Sequence, residues 1–184
     1  MTQSMIETPI GPLFVVTSDR GVRLLSFAEG YRHDGLVKAL RPGSTGDASK
    51  AEAMLAQTAR ELEEYFDGDR REFDLPLDLE GTEFQKRAWQ AIADIPYGHT
   101  ATYSEVALSA GAPNAYRAAG TACGANPIVI LIPCHRVIGT DKGLHGFGGG
   151  LDTKVWLLKH EGIQGVKSGG WANAKAYQRQ AVLI

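Results

Sequence analysis

At Gly81-Thr82 the chain changes character, and the change separates two kinds of local structure. Before it, short apolar runs alternate with turn residues. Leu13-Phe14-Val15-Val16 and Val22-Arg23-Leu24-Leu25-Ser26-Phe27 flank Ser18-Asp19-Arg20-Gly21, a hairpin signal with glycine where the turn needs a positive φ. Residues 5–8 read as a further strand ahead of a Gly11-Pro12 turn. After Thr82 the periodicity is helical. Charge divides at the same place. Residues 1–81 hold nine Lys+Arg against fifteen Asp+Glu, a net −6, and residues 82–184 hold ten against six, a net +4. Two units are predicted; the surplus of four on the second is modest, and fits either a polyanion partner or an ordinary solvated surface.

In the first unit, residues 35–40 suggest a short helical stretch. Ser49 and Glu52 form a capping-box pattern that opens an amphipathic helix to about residue 66, with Ala53, Leu55, Ala56, Ala59, Leu62 and Phe66 on its apolar stripe. Gly68 is placed to end it. Residues 73–79 alternate apolar with acidic residues and proline, as an edge strand does. The predicted division is residues 1–78, a linker at 79–81, a second domain at 82–165 and a tail at 166–184.

The second unit opens with another capping box, Thr82-Glu83-Phe84-Gln85, predicting a helix to Ala93. Ile95-Pro96-Tyr97-Gly98 is a turn. Residues 103–110 form a short helix that Gly111-Ala112-Pro113 breaks, and Asn114 caps another to about Gly124. Two short helices around a glycine-containing turn fit a helix-turn-helix, and an ordinary helical corner fits as well. The second helix is built from Ala115, Ala118, Ala119, Gly120, Ala122 and Gly124, which allow close approach to a core or to a partner. Internal packing has no need of Arg117 in its middle. The β-branched run Ile128-Val129-Ile130-Leu131-Ile132 predicts a buried strand that delivers Pro133-Cys134-His135-Arg136-Val137. A glycine-rich loop, 143–150, and a helix, Leu151–His160, follow.

No apolar run approaches the roughly 20 residues that span a bilayer, and the start, MTQSMIETPIG, lacks the basic and apolar regions of a secretory signal. A cytoplasmic protein is expected, with Cys123 and Cys134 as thiols. Neither has a partner at finger-like spacing, so no metal is expected. Cys134 could be a small buried hydrophobe. Yet His135 and Arg136 follow it, and a cationic neighbour stabilises a thiolate. Adjacent side chains diverge in an extended segment, so their cooperation requires a sharp turn or a bridging water.

The string Asn126-Pro127 … Ile132-Pro133-Cys134-His135-Arg136-Val137-Ile138-Gly139 resembles the signature of the O6-alkylguanine-DNA alkyltransferase family. The likeness continues upstream in Gly81-Thr82-Glu83-Phe84-Gln85, Ile95-Pro96-Tyr97-Gly98, Tyr103 and Arg117-Ala118-Ala119-Gly120. Downstream it includes Gly148-Gly149-Gly150-Leu151, Lys154, Trp156-Leu157-Leu158 and His160-Glu161-Gly162. It covers residues 82–162, while the first 80 match only in their order of hairpin then helix.

The resemblance implies an α/β fold: an N-terminal ribonuclease-H-like sheet-plus-helix domain, then a mainly helical domain with a helix-turn-helix. It implies direct-reversal repair of double-stranded DNA carrying O6-alkylguanine, with no cofactor and no membrane, by a protein expected to be monomeric. Cooperative binding along DNA, activity on O4-alkylthymine and alkyl-size preference stay open. The lesion is extruded from the stack, and Cys134 takes the alkyl group once and keeps it. His135 activates Cys134 through a water, and Glu161 orients His135. Arg117 fills the vacated space, Tyr103 crowds the target phosphate and donates to guanine N3, and Asn126 is the hinge. The backbone of Cys134, Val137 and Gly148 reads the base, Phe147 forms a ring wall, and Lys154 lies near the pocket, unless it is a solvated lysine. Some members carry Tyr-Ser at Phe147-Gly148 and proline at Val129. Residues 1–81 contain no cysteine, so the zinc of some N-terminal domains is not expected. The rival readings are a non-catalytic lesion binder, a helix-turn-helix regulator and a cysteine hydrolase.

Overall fold

The computed structural model describes residues 1–28, 37 and 46–164, and the backbone of 166–167 and 170–171. Apart from Val37, the helical stretch expected at 35–40 lies outside the described residues. Strands β1 (Thr2–Ile6), β2 (Leu13–Ser18) and β3 (Gly21–Phe27) form an antiparallel sheet in that order. The first strand ends at Ile6, paired with Leu13, rather than running over 5–8. Thr8 and Gly11 close a turn there, with Gly11 N–H donating to the Thr8 carbonyl at 3.0 Å. Strands β2 and β3 are buried along nearly their whole length, so both faces of the sheet are covered.

Helix α1 (Ala48–Asp67) covers one face. Its cap is Asp47, whose carboxylate accepts from Ser49 N–H at 3.0 Å and Lys50 N–H at 3.3 Å, in place of the expected Ser49–Glu52 box. Gly68 ends it in the left-handed region, as predicted. The buried face is Ala51, Thr58, Glu61, Leu62 and Tyr65, while Ala53 and Ala56 are exposed. An apolar count misplaces this face because its polar members are satisfied. Thr58 donates to the Met54 carbonyl at 2.8 Å, and Glu61 accepts from Gln57 at 2.8 Å and from Asp74 N–H at 2.9 Å.

Residues 73–79 do not form the expected edge strand. Leu77 makes one parallel bridge to Val22, with Val22 N–H donating to Pro76 at 2.9 Å and Asp78 N–H to Val22 at 2.8 Å. Pro76 has no N–H to extend the ladder. Asp78 anchors the segment by accepting from Ser18 at 2.8 Å and Arg23 at 3.2 Å.

In the second half, α2 (Glu83–Ala93) starts at Thr82 with both bonds of its capping box formed. Strand β4 (Ala101–Thr102) leads into α3 (Tyr103–Ser109), which has a second such box, Thr102–Glu105, that the sequence reading did not predict. Gly111, at φ +75, turns the chain toward α4 (Tyr116–Gly124). The expected Asn114 cap is not made: Ala115 occupies the cap position without a side-chain bond. Trp89 of α2 donates to the Ala122 carbonyl of α4 at 2.9 Å.

Ile128 to Ile132 are buried as predicted but do not form a continuous strand. Leu25 of the sheet grips the start, donating to Pro127 at 2.9 Å and accepting from Val129 N–H at 2.8 Å. The chain then turns tightly through Ile130 at φ +72, a rare conformation for a β-branched residue, and Val129 bridges Ile132. A 3₁₀ turn, Cys134–Arg136, leads to β5 (Val137–Ile138), parallel to β4. Helix α5 (Leu151–His160) follows, then β6 (Val166–Lys167) paired with β7 (Gly170–Trp171). A continuous core joins the halves, running from Leu13 and Val15 through Leu62 and Tyr65 to Trp89, Ile132 and Cys134. Among the described residues, no helix is long and apolar enough to cross a membrane.

Gly21, at φ +152, lies so close to the Pro76 carbonyl that a Cβ would overlap it. Gly21→Ala is expected to destabilise the protein by about 2 kcal/mol or more. In urea unfolding the midpoint should fall with the slope unchanged.

Candidate functional site

The required sharp turn is present at Cys134. Its N–H donates to the Ile132 carbonyl at 2.8 Å, and the 3₁₀ turn then carries His135 and Arg136. Asn126, buried just past α4, holds this turn from three sides. Its amide nitrogen lies 2.8 Å from the Ile132 carbonyl and 3.2 Å from Cys134 Sγ, and its oxygen accepts from Ile128 N–H at 3.0 Å. An amide donor aimed at sulfur favours the thiolate over the thiol. Cys123 and Cys134 are not joined by a disulfide.

His135 is buried in the same turn, with Nε2 2.8 Å from Glu161 Oε1. Arg136 grips the same carboxylate from Nε and Nη2, each at 2.9 Å. Gly98 N–H reaches Oε2 at 3.3 Å, and Tyr65 Oη donates to Oε1 at 2.9 Å. Burial pushes the Glu161 pKa up, but His135 and Arg136 prevail and hold it well below the usual carboxylate range. Burial likewise pushes the His135 pKa down, outweighing the pull of Glu161, so the imidazole is neutral at neutral pH. Facing a carboxylate, Nε2 carries the proton. Nδ1 is then the lone-pair nitrogen, and it has no hydrogen-bond partner among the described residues.

Two side chains of this network, Arg136 and Tyr65, have no role assigned from the sequence, nor has the Gly98 N–H. Arg136 has a signal, standing two residues from the cysteine, but from the sequence it reads only as a neighbouring charge. Tyr65 has none, because its partner lies 96 residues away.

Tyr103 begins α3, half-buried beside α4, where a Cβ on Gly120 would lie 3.8 Å from its ring. Its phenol is pushed up by burial first, then by Cys123 and Cys134. Arg117 stands apart on the exposed side of α4, over the Tyr116 ring at 5.6 Å. Val137 is buried, and its carbonyl accepts from Lys154 Nζ at 2.7 Å. Lys154 is therefore no solvated lysine: it is 1% exposed, and burial lowers its pKa to about 8 against the pull of the two cysteines. Phe147 packs edge-on against Phe27 of β3 at 5.6 Å, and Gly148 lies exposed, lining a cleft with Ile10 and Pro12. Asn126 thus contacts Cys134, and His135, the next residue along the turn, contacts Glu161, with Val137 and Lys154 beside them. Arg117 and Gly148 lie on the surface around them. Among the described residues, no three His, Cys, Asp or Glu side chains gather as a metal site requires.

Residues 83–163 match the family described as 6-O-methylguanine DNA methyltransferase, DNA binding domain, and residues 1–79 match its ribonuclease-like domain. A methylated-DNA–protein-cysteine methyltransferase of Methanosarcina barkeri is 45% identical over 161 residues, covering 88% of this chain and 97% of its own length. One from Mycobacterium bovis is 54% identical over 157 residues, covering 85% and 89%. The crystal structure of Mycobacterium tuberculosis OGT in complex with DNA is similar at a TM-score of 0.72 and 41% identity, over 85% of this chain and 90% of that one.

Lys154 offers a pH test. With a folded pKa near 8, below the ordinary lysine value of 10.5, the folded protein sheds this proton first, so the lysine's contribution to stability rises between those pH values. The stability of the wild type relative to Lys154→Met should climb by up to about 3 kcal/mol from pH 7 to pH 10, read from urea unfolding. A constant difference would mean that Lys154 is not buried as a cation.

Proposed function

Because the chain belongs to the 6-O-methylguanine DNA methyltransferase family, we propose that Cys134 is the sulfur on which it deposits the alkyl group of a damaged base. The protein performs direct-reversal DNA repair, acting on DNA as a methylated-DNA–protein-cysteine methyltransferase. The observation that carries the residue assignment is the buried run of contacts from Asn126 to Cys134 and from His135 to Glu161.

In the reaction, a water relays the Cys134 proton to Nδ1 of His135, whose other nitrogen is committed to Glu161. The thiolate, held by the Asn126 amide, attacks the alkyl carbon. A C–S bond forms, the C–O6 bond breaks, and its electron pair stays on guanine. Tyr103, kept neutral by burial, donates to guanine N3 and eases that departure. No group at the site can cleave the resulting thioether, so each molecule acts once. O6 is out of reach in a stacked duplex, so the nucleotide must be flipped out. Arg117, exposed on the small-residue helix α4, is suited to enter the stack in its place. The Lys154 bond to the Val137 carbonyl keeps that backbone in position to meet the base, alongside Phe147 and Gly148.

The division into residues 1–78 and 82–165 is supported by the spans of the two family matches, 1–79 and 83–163. We read the first part as ribonuclease-H-like, on its antiparallel sheet with one covering helix and on that match. A DNA substrate and a required thiol favour the cytoplasm.

Incubation with duplex DNA carrying O6-methylguanine should add one methyl group per protein, on the peptide containing Cys134, and then stop. Cys134→Ala should abolish transfer while leaving DNA binding largely intact. Binding without any mass gain in the wild type would leave a lesion binder instead. Arg117→Ala should slow transfer by at least about tenfold, because the extruded base is no longer held in place, as single-turnover kinetics would show.

A further inference from the structure

Helix α1 belongs to the acidic N-terminal half, yet it delivers Tyr65 to the centre of the site. The Tyr65 hydroxyl donates to Glu161 Oε1 at 2.9 Å, the oxygen that also faces His135 Nε2 at 2.8 Å. The side chain is fully buried and cannot swing away. Its ring is packed against Phe66 at 5.3 Å, Phe73 at 5.4 Å, Tyr97 at 6.2 Å and His160 at 5.1 Å. His160 Nε2 also lies 2.7 Å from the Tyr65 carbonyl, fixing the backbone below the ring. The ring packs the core, and the hydroxyl is one of several donors to the buried carboxylate. The hydroxyl is aimed at the one carboxylate that orients the histidine.

We propose that Tyr65 is a positioning residue for alkyl transfer, its hydroxyl fixing the Glu161 oxygen that holds His135. The proposal rests on the Cys134–His135–Glu161 reading above and gives the N-terminal half a part in the chemistry. Burial and the Glu161 carboxylate push the Tyr65 phenol far up, so it stays a neutral donor throughout the working range. As a donor it draws charge from Oε1. Without it, that oxygen is more negative and His135 holds its proton more tightly. The other titratable or charged groups around the pair are Arg136, Tyr97 and, over its ring at 5.5 Å, Arg71, with Lys154 and His160 from α5. Tyr65→Phe keeps the ring on which Tyr97 and His160 pack.

The test is Tyr65→Phe in the full chain, which keeps the ring and removes only the hydroxyl. Single-turnover methyl transfer from O6-methylguanine duplex would be followed across pH, at a temperature where the variant is folded by circular dichroism. The rate should fall about tenfold, the size expected when a hydrogen bond to a charged acceptor is lost, and the acid limb of its pH profile should move to higher pH. Phe73→Leu, which loosens the ring packing but keeps the hydroxyl, should lower the melting temperature and leave that limb in place. A Tyr65→Phe rate and profile equal to wild type would overturn the proposal. So would failure of Tyr65→Phe to fold, since the hydroxyl would then be a prop of the fold. If the wild type itself gains no methyl, the parent reading fails instead.

Discussion

Glu161 follows the last turn of α5, where a helix dipole disfavours an anion, and it is buried there. That charge is tolerable only because donors converge on it from separate parts of the chain: Tyr65 from α1, Gly98 from the turn after α2, and His135 and Arg136 from the 3₁₀ turn. Removing one partner of a buried ion pair commonly costs about 3–5 kcal/mol, because the remaining charge is left without compensation. The carboxylate therefore fixes the relative placement of helices α1 and α5, the turn after α2 and the 3₁₀ turn that begins at Cys134. Burial keeps His135 neutral, and the bonds that hold the fold here settle which of its ring nitrogens carries the proton.

The opposite charges of the two halves suggest separable bodies, but the core does not divide. Leu25 of β3 makes two backbone hydrogen bonds to the segment just before the Cys134 turn. The sheet edge thus acts as a template for the backbone that presents the sulfur. Ile130 keeps its unfavourable φ because it is fully enclosed, with neighbouring residues pinned by Leu25 and by the Val129–Ile132 bridge. The N-terminal half is a structural part of the site even where it touches no reacting atom.

Much of this was legible from local chemistry. The Thr82 box, the Gly68 stop and the β2–β3 hairpin depend on residues within a few positions of each other, and they formed as read. Cys134, His135, Asn126 and Glu161 were legible through their motif. Some misses were local shifts of a cap, and the larger ones depended on distant partners. Asn114 makes no cap because the helix begins one residue later, at Tyr116, which puts Ala115 in the cap position. The apolar run at 128–132 became a turn because the sheet captured only its start. The α1 face was misplaced because Thr58, Glu61 and Tyr65 are polar groups with partners, two of them supplied from elsewhere in the chain. Burial of a polar side chain depends on what meets it, which periodicity does not record.

The contact between Phe27 and the glycine-rich loop reaches beyond this one molecule. A Cβ on Gly149 would run into the Phe27 ring, and the same ring braces Phe147. The end of a strand in one half and a loop in the other are thus cut to a common shape. Grafting the loop from a relative with a bulkier residue at 149 would misfit unless the strand end were exchanged with it. In this architecture the unit of transplantable specificity is the pair, not the loop.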